Sequence, residues 1–123
     1  MYVFFWCLFE TFNCQSEIVL GYSLITDHGI CDHIDGRSPT GCGKGGMSEN
    51  NCKGFCSSHN SCVGYTYQSI GKYCLLHFSN NICPLGFHLA NSYRSTAKTM
   101  EDLVATPINA KWHSVCYGKI LTN

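Results

Sequence analysis

The chain has 123 residues, ten of them cysteine, and its eight basic and eight acidic residues give a formal net charge of zero. That length supports one domain rather than two. With no basic run and no Lys/Arg stripe, the sequence lacks the electrostatic footprint of a nucleic-acid binder.

Cysteine at this density in a small chain indicates a disulfide scaffold formed in an oxidising compartment. Zinc is the competing explanation. However, no CxxC pair is present and the six histidines are scattered rather than paired as ligands, so neither a metal nor another cofactor is expected.

Residues 1–16 (MYVFFWCLFETFNCQS) open with an unbroken apolar run over 2–9. The run is too short to span a bilayer, which takes about 20 residues. It suits the apolar region of a signal peptide, with Cys14 and Ser16 as small residues before a cleavage point. The absence of Lys or Arg ahead of the run, and Glu10 at its end, depart from the usual pattern, and a retained hydrophobic strand is the alternative. Cleavage after Ser16 removes Cys7 and Cys14 and leaves a mature domain over 17–123 with no membrane span. Its eight cysteines are Cys31, Cys42, Cys52, Cys56, Cys62, Cys74, Cys83 and Cys116. An even set can close as four bridges, although eight cysteines allow about 105 pairings.

Residues 17–26 (EIVLGYSLIT) are β-prone and partly alternate from Tyr22 onward. Residues 27–46 are rich in Gly, Asp, Ser and Pro and predict a loop with at most a short strand. His28, His33, Asp32 and Asp35 fall there as a weak metal-binding cluster, against the plainer expectation of a solvated loop.

Ser48 then has the character of a helix N-cap, and Glu49 places a negative charge in the first turn, where the helix dipole favours it. Met47 and Cys52 take the two positions of a hydrophobic staple. Cys52, Phe55 and Cys56 share one face at i, i+3 and i+4, which makes that face the buried one. The helix is expected to end near Ser58, where His59, Asn60 and Ser61 begin a turn.

Residues 62–68 (CVGYTYQ) alternate, so Val63, Tyr65 and Tyr67 are expected on one side and Cys62, Gly64 and Thr66 on the other. A turn over 69–72 containing Gly71 and a returning strand over 73–78 (YCLLHF) complete an antiparallel hairpin. Residues 80–93 read as irregular. Residues 99–104 predict a short helix with Thr99 and Asp102 as a capping-box-like pair, and 112–120 predict a final strand carrying Cys116.

Cys52 and Cys56 lie one helical turn apart, so each needs a partner elsewhere. Cys62 can fold back on Cys56, and Cys74 can reach Cys52 from the second hairpin strand. A bridge from Cys31 to Cys116 brings the two ends of the domain together, which leaves Cys42 and Cys83 for each other. The pattern Cys52-x3-Cys56-x5-Cys62, then VGYTY, then Cys74, Leu75 and Leu76, with a closing Cys116, Tyr117, Gly118 and Lys119, resembles the PAN/Apple domain family. The resemblance covers about residues 22–120. It implies an α+β fold, one main helix packed on a small antiparallel β-sheet, with bridges Cys52–Cys74, Cys56–Cys62 and Cys31–Cys116. Cys42 and Cys83 lie outside its basic pattern. It also implies a secreted module that binds an extracellular protein or glycan and does no chemistry.

A second resemblance is to secreted phospholipase A2. Gly41, Cys42 and Gly43 precede Phe55-Cys56-Ser57-Ser58-His59-Asn60-Ser61-Cys62, where that enzyme has a calcium loop and a Cys-Cys-x-x-His-Asp-x-Cys helix. The resemblance implies His59 as general base and a calcium site. Phe55 replaces the first cysteine, Asn60 replaces the calcium-binding Asp, and a strand pattern follows Cys62. A matrix component that uses the domain only for assembly is a third class.

On the leading expectation, recognition falls to exposed residues. Arg37 and Lys44 in the loop before the helix, and Lys72 in the hairpin turn, are candidate contacts for a sulfated glycan or acidic protein, with plain solvated charges as the alternative. Tyr65 and Tyr67 are expected to be buried under the helix rather than to stack on a ligand. Zero net charge does not predict strong heparin-type binding.

Overall fold

The computed structural model describes residues 21–90, 95–107 and 113–120. The expected leader over 1–16 with Cys7 and Cys14, the first residues of the strand expected over 17–26, and Trp112 of the expected last strand lie outside the described residues.

Among the described residues, eight strands and one α-helix follow in the order β1 (Tyr22–Thr26), β2 (Gly29–His33), β3 (Gly41–Lys44), α1 (Glu49–Ser58), β4 (Cys62–Gln68), β5 (Tyr73–Phe78), β6 (His88–Ala90), β7 (Leu103–Pro107) and β8 (Ser114–Lys119). Six strands form an antiparallel sheet in the order β1-β8-β4-β5-β3-β6, and β2 and β7 form a separate antiparallel ribbon. The fold is a small disulfide-rich α+β domain. The helix packs on one face of the sheet, and the ribbon packs behind it over β8 and β1, with lesser contact to β4.

The helix begins where local chemistry places it. The Ser48 hydroxyl accepts from Asn51 N–H at 3.1 Å, and Met47 and Cys52 are both buried in the cluster beneath the helix. Its far end is stabilised from outside. No basic residue lies in the last turn, but Lys119 on β8 donates Nζ–H bonds to the carbonyls of Cys56 and His59 at 2.8 and 3.0 Å. A cation there adds to the bonds these carbonyls take from His59 and Cys62 N–H and meets the negative end of the helix dipole. Partial burial pushes the Lys119 pKa down.

The main core lies between helix and sheet. Tyr65, Tyr67, Leu76 and Phe78 fill it with Cys42, Cys52, Cys56, Cys62 and Cys74. Tyr67 donates its hydroxyl to the Met47 carbonyl at 2.7 Å, and Tyr65 donates to Glu49 at 3.1 Å, so each buried phenol has a partner. Burial, together with the neighbouring Glu49 charge, raises the Tyr65 pKa. A second, smaller core joins the sheet to the ribbon through Cys31, Val63, Ala97, Leu103 and Cys116.

Val63 belongs to that second core, so it does not share a side with Tyr65 and Tyr67 as strict alternation predicts. A bulge sets Cys62 opposite Phe78 and Gly64 opposite His77, which leaves Val63 as the extra residue. The bulge turns Cys62 toward the helix side, where it reaches Cys56, and sends Val63 to the ribbon side.

Four disulfides tie these layers: Cys31–Cys116, Cys42–Cys83, Cys52–Cys74 and Cys56–Cys62. Cys52–Cys74 joins helix to hairpin, and Cys31–Cys116 joins ribbon to sheet across 85 residues. A loop of that length corresponds to about 4–5 kcal/mol of lost denatured-chain entropy in the loop-closure model.

Residues 27–46 hold two strands rather than a loop with at most a short one. The glycines that resemble loop composition allow close packing instead. A Cβ at Gly43 would lie 1.9 Å from the Tyr73 hydroxyl, and one at Gly41 would lie 2.9 Å from the Leu75 side chain. Residues 99–104 are likewise not a helix. A single 3₁₀ turn at Met100–Asp102 leads straight into β7, whose pairing with β2 wins over the local helical preference. Thr99 makes no side-chain cap bond, and Asp102 Oδ2 instead accepts from Lys98 N–H. The segment expected to be irregular over 80–93 contributes β6 at the sheet edge.

Candidate functional site

The hairpin register sets the floor of a cleft on the face away from the helix. Gln68 lies opposite Tyr73, and Thr66 lies opposite Leu75. The side chains facing the helix at Cys74, Leu76 and Phe78 are all buried, so Tyr73, Leu75 and His77 share the other face. Ile30 and Cys31 of the ribbon line its wall together with Ser38 and Pro39. The enclosed volume is about 140 Å³.

Both parts of that wall are pinned. Cys31 is bridged to Cys116 on β8, and its backbone N–H donates to Thr66 Oγ1 at 3.1 Å. Pro39 bridges to Ser95, and Thr40 N–H donates to the Ser95 carbonyl at 2.8 Å. Beneath them His77 is completely buried. Its Nδ1 lies 3.1 Å from the Thr40 carbonyl, which can only accept, so Nδ1 carries the proton. Nε2 then accepts from the Thr66 hydroxyl at 3.0 Å. Cys31 N–H, Thr66, His77 and the Thr40 carbonyl thus form one satisfied chain. Burial holds the His77 pKa down to about 4, with the bond to Thr40 opposing it. The histidine stays neutral and holds the loop that carries the Ser38–Pro39 wall to the sheet.

Tyr73 lies across Gly43, and its hydroxyl is 3.1 Å from His88 Nε2 on the edge strand β6. Burial raises the Tyr73 pKa. The Gln68 and Ser38 side chains make no hydrogen bond among the described residues. Ser114, directly opposite Gln68, has a buried hydroxyl without a partner.

The cationic candidates do not converge. Lys44 and Lys72 are exposed near one end of β3 and β5. Arg37 is exposed beyond the opposite end of β3, in the turn where His33 N–H donates to its carbonyl at 2.8 Å. Extended chain rises about 3.3 Å per residue, so the stretch from Pro39 to Lys44 alone spans roughly 16 Å. Lys44 has a further contact, its Nζ lying 5.8 Å from the centre of the Phe87 ring. Beside it, on the segment tethered by Cys42–Cys83, Leu85 is fully exposed and Ile82 largely so.

His59 is the C-cap of α1, and its Nδ1 lies 2.7 Å from the Phe55 carbonyl. That contact requires Nδ1 to donate. Gly41, Cys42 and Gly43, the positions of the lipase-like calcium loop, form β3 and pair with β5 and β6 on both sides. The four residues of the weak metal cluster are also distributed. His28 pairs with Asp27 at 3.3 Å and His33 with Asp35 at 3.1 Å. Asp35 is held below the ordinary carboxylate range, chiefly by the Ser95 hydroxyl and then by Arg37 N–H. Among the described residues no group of three or more His, Cys, Asp or Glu is placed to hold a metal ion. Among them also, no helix is long and apolar enough to cross a membrane.

Gln68, Ser38, Tyr73 and His77 were not singled out by sequence. Alternation in 73–78 carries a signal that Tyr73 and His77 share a face with Leu75. Nothing local indicates that the ribbon and the Ser38–Pro39 loop would stand over that face. Comparison with protein-family models, with curated proteins and with solved structures finds no significant match to this chain.

Proposed function

We propose that this chain is a secreted, PAN/Apple-like binding module that recognises an extracellular protein or glycan and performs no catalysis. The observation that carries the proposal is the cleft over Tyr73 and Leu75, a concave surface whose walls are fixed by a disulfide, a backbone bridge and a buried histidine. Ligand sites are typically preformed, concave and mainly apolar, with a few convergent polar groups. Four disulfides support an extracellular setting, because such bonds persist in oxidising compartments. A helix bridged to a hairpin by Cys52–Cys74 supports the PAN/Apple-like assignment.

The test uses oxidised, folded protein on a glycan array and against purified extracellular proteins. Saturable binding to either supports the proposal. Calcium-dependent lipid hydrolysis that disappears in His59→Ala overturns it. Disulfide mapping of the isolated protein checks the scaffold, and absence of Cys52–Cys74 or Cys56–Cys62 removes the PAN/Apple-like assignment.

A further inference from the structure

We infer that the cleft binds a single neutral sugar ring, the terminal residue of a glycan, seated on Tyr73 and Leu75 and hydrogen-bonded by Gln68 and Ser38. The inference rests on the binding-module function above and names the ligand class of that cleft. Size is the first ground. A volume of about 140 Å³ suits one ring-sized molecule and leaves no room within the walls for a second. Charge is the second. Ile30, Cys31, Ser38, Pro39, Thr66, Gln68, Tyr73 and Leu75 include no carboxylate, ammonium or guanidinium, so nothing in the lining offsets the desolvation of a charged ligand.

The polar groups narrow the class further. Thr66 has no donor to spare, because its hydroxyl donates to His77, and it already accepts from Cys31 N–H. The Gln68 amide offers two donors and an acceptor and Ser38 adds a hydroxyl, while the Tyr73 hydroxyl is already held by His88 Nε2. That set matches a ligand rich in hydroxyl groups. An apolar side chain from a protein partner would fill the same volume and leave those groups unpaired. The apolar floor meets the remaining need, since the C–H face of a sugar ring packs on an aromatic ring and a leucine. Tyr73 is already oriented for that contact by His88 on one side and by the absence of a Cβ at Gly43 beneath it. Little ordering is then left for the ligand to impose.

The test is an NMR titration of isotope-labelled, oxidised protein with methyl glycosides of glucose, galactose, mannose, fucose, N-acetylglucosamine and N-acetylgalactosamine. The expected result is saturable shifts at millimolar concentration for at least one of them, centred on Gln68, Tyr73 and Ser38. Affinity should fall by about tenfold or more in Gln68→Ala. Tyr73→Leu should lose binding while keeping a folded spectrum, and Ser38→Ala serves as the second variant should Tyr73→Leu unfold. Leu85→Ser, far out on the tethered segment, should bind like the parent.

Three outcomes overturn the inference. Array binding that survives Gln68→Ala and Ser38→Ala places the glycan elsewhere and leaves the module function standing. Shifts at the cleft caused by a protein partner, with none from any sugar, have the same consequence. No binding to glycan or protein removes the inference and the proposed function together.

Discussion

Acidification tests the His77 network directly. His77 is fully enclosed, with Nδ1–H on the Thr40 carbonyl and Nε2 on the Thr66 hydroxyl. Protonating Nε2 would set a second proton against the Thr66 hydroxyl and leave a charge on a ring shut off from solvent. Burial therefore keeps the folded-state pKa at about 4 against an ordinary value of 6.5. Between those two values the unfolded chain holds a proton that the folded chain does not, so stability falls as pH falls. The contribution is complete above pH 6.5 and is lost by about pH 4. At about 1.4 kcal/mol per unit, the difference amounts to about 3 kcal/mol. Asp35 does not interfere. Its pKa lies below 3.8, so its own contribution is lost only at still lower pH.

Urea unfolding with the disulfides intact, at about pH 7 and about pH 4, measures the effect. The parent should lose about 3 kcal/mol across that interval. His77→Gln should be less stable at neutral pH by about 1–3 kcal/mol, because one buried partner is mismatched. Its stability should then stay nearly level through the interval. Parallel losses in parent and variant would refute this account, as would a His77 imidazole that titrates near 6.5 in the folded protein.

Ser48→Ala should cost about 1 kcal/mol in chemical denaturation, through loss of the bond from Asn51 N–H. Gly64→Ala should be more damaging, by about 2–3 kcal/mol in the same assay. Its Cβ would lie 2.5 Å from the Tyr117 carbonyl oxygen and 2.6 Å from Leu103, and the carbonyl belongs to a paired strand that cannot yield. Leu85→Ser should leave the midpoint within about 0.5 kcal/mol of the parent, since Leu85 is fully exposed.

The elements that could be read along the chain are those made by near neighbours. Ser48 and Asn51 are three residues apart, Met47 and Cys52 five, and the two hairpin strands are joined by a short turn closed by Gly71 at φ 90° and Lys72 at φ 51°. The inward direction of Tyr65 and Tyr67 follows from period-two alternation. Alternation failed at Val63, where the bulge answers to a remote demand for Cys62 to meet Cys56. It was composition that misled over Gly41 and Gly43, because glycine marks close packing as well as turns. Neither Lys119 capping α1 nor His77 holding Thr40 has a local signal, since the partners lie roughly 60 and 37 residues away.

By itself the sequence determined the class of this protein. Ten cysteines, a capped amphipathic turn and one alternating hairpin point to a small α+β domain braced by disulfides, because the cap, the helix face and the hairpin are short-range signals and the cysteine density marks an oxidised scaffold. Only the tertiary structure decided where a ligand can sit. The cleft exists because Cys31–Cys116 draws β2 against β8 while His77 draws Thr40 onto the sheet, bringing Ile30 and Ser38 together with Tyr73 around one cleft. Contacts across such separations are set by sheet order and bridge geometry, and no local pattern of residues encodes them.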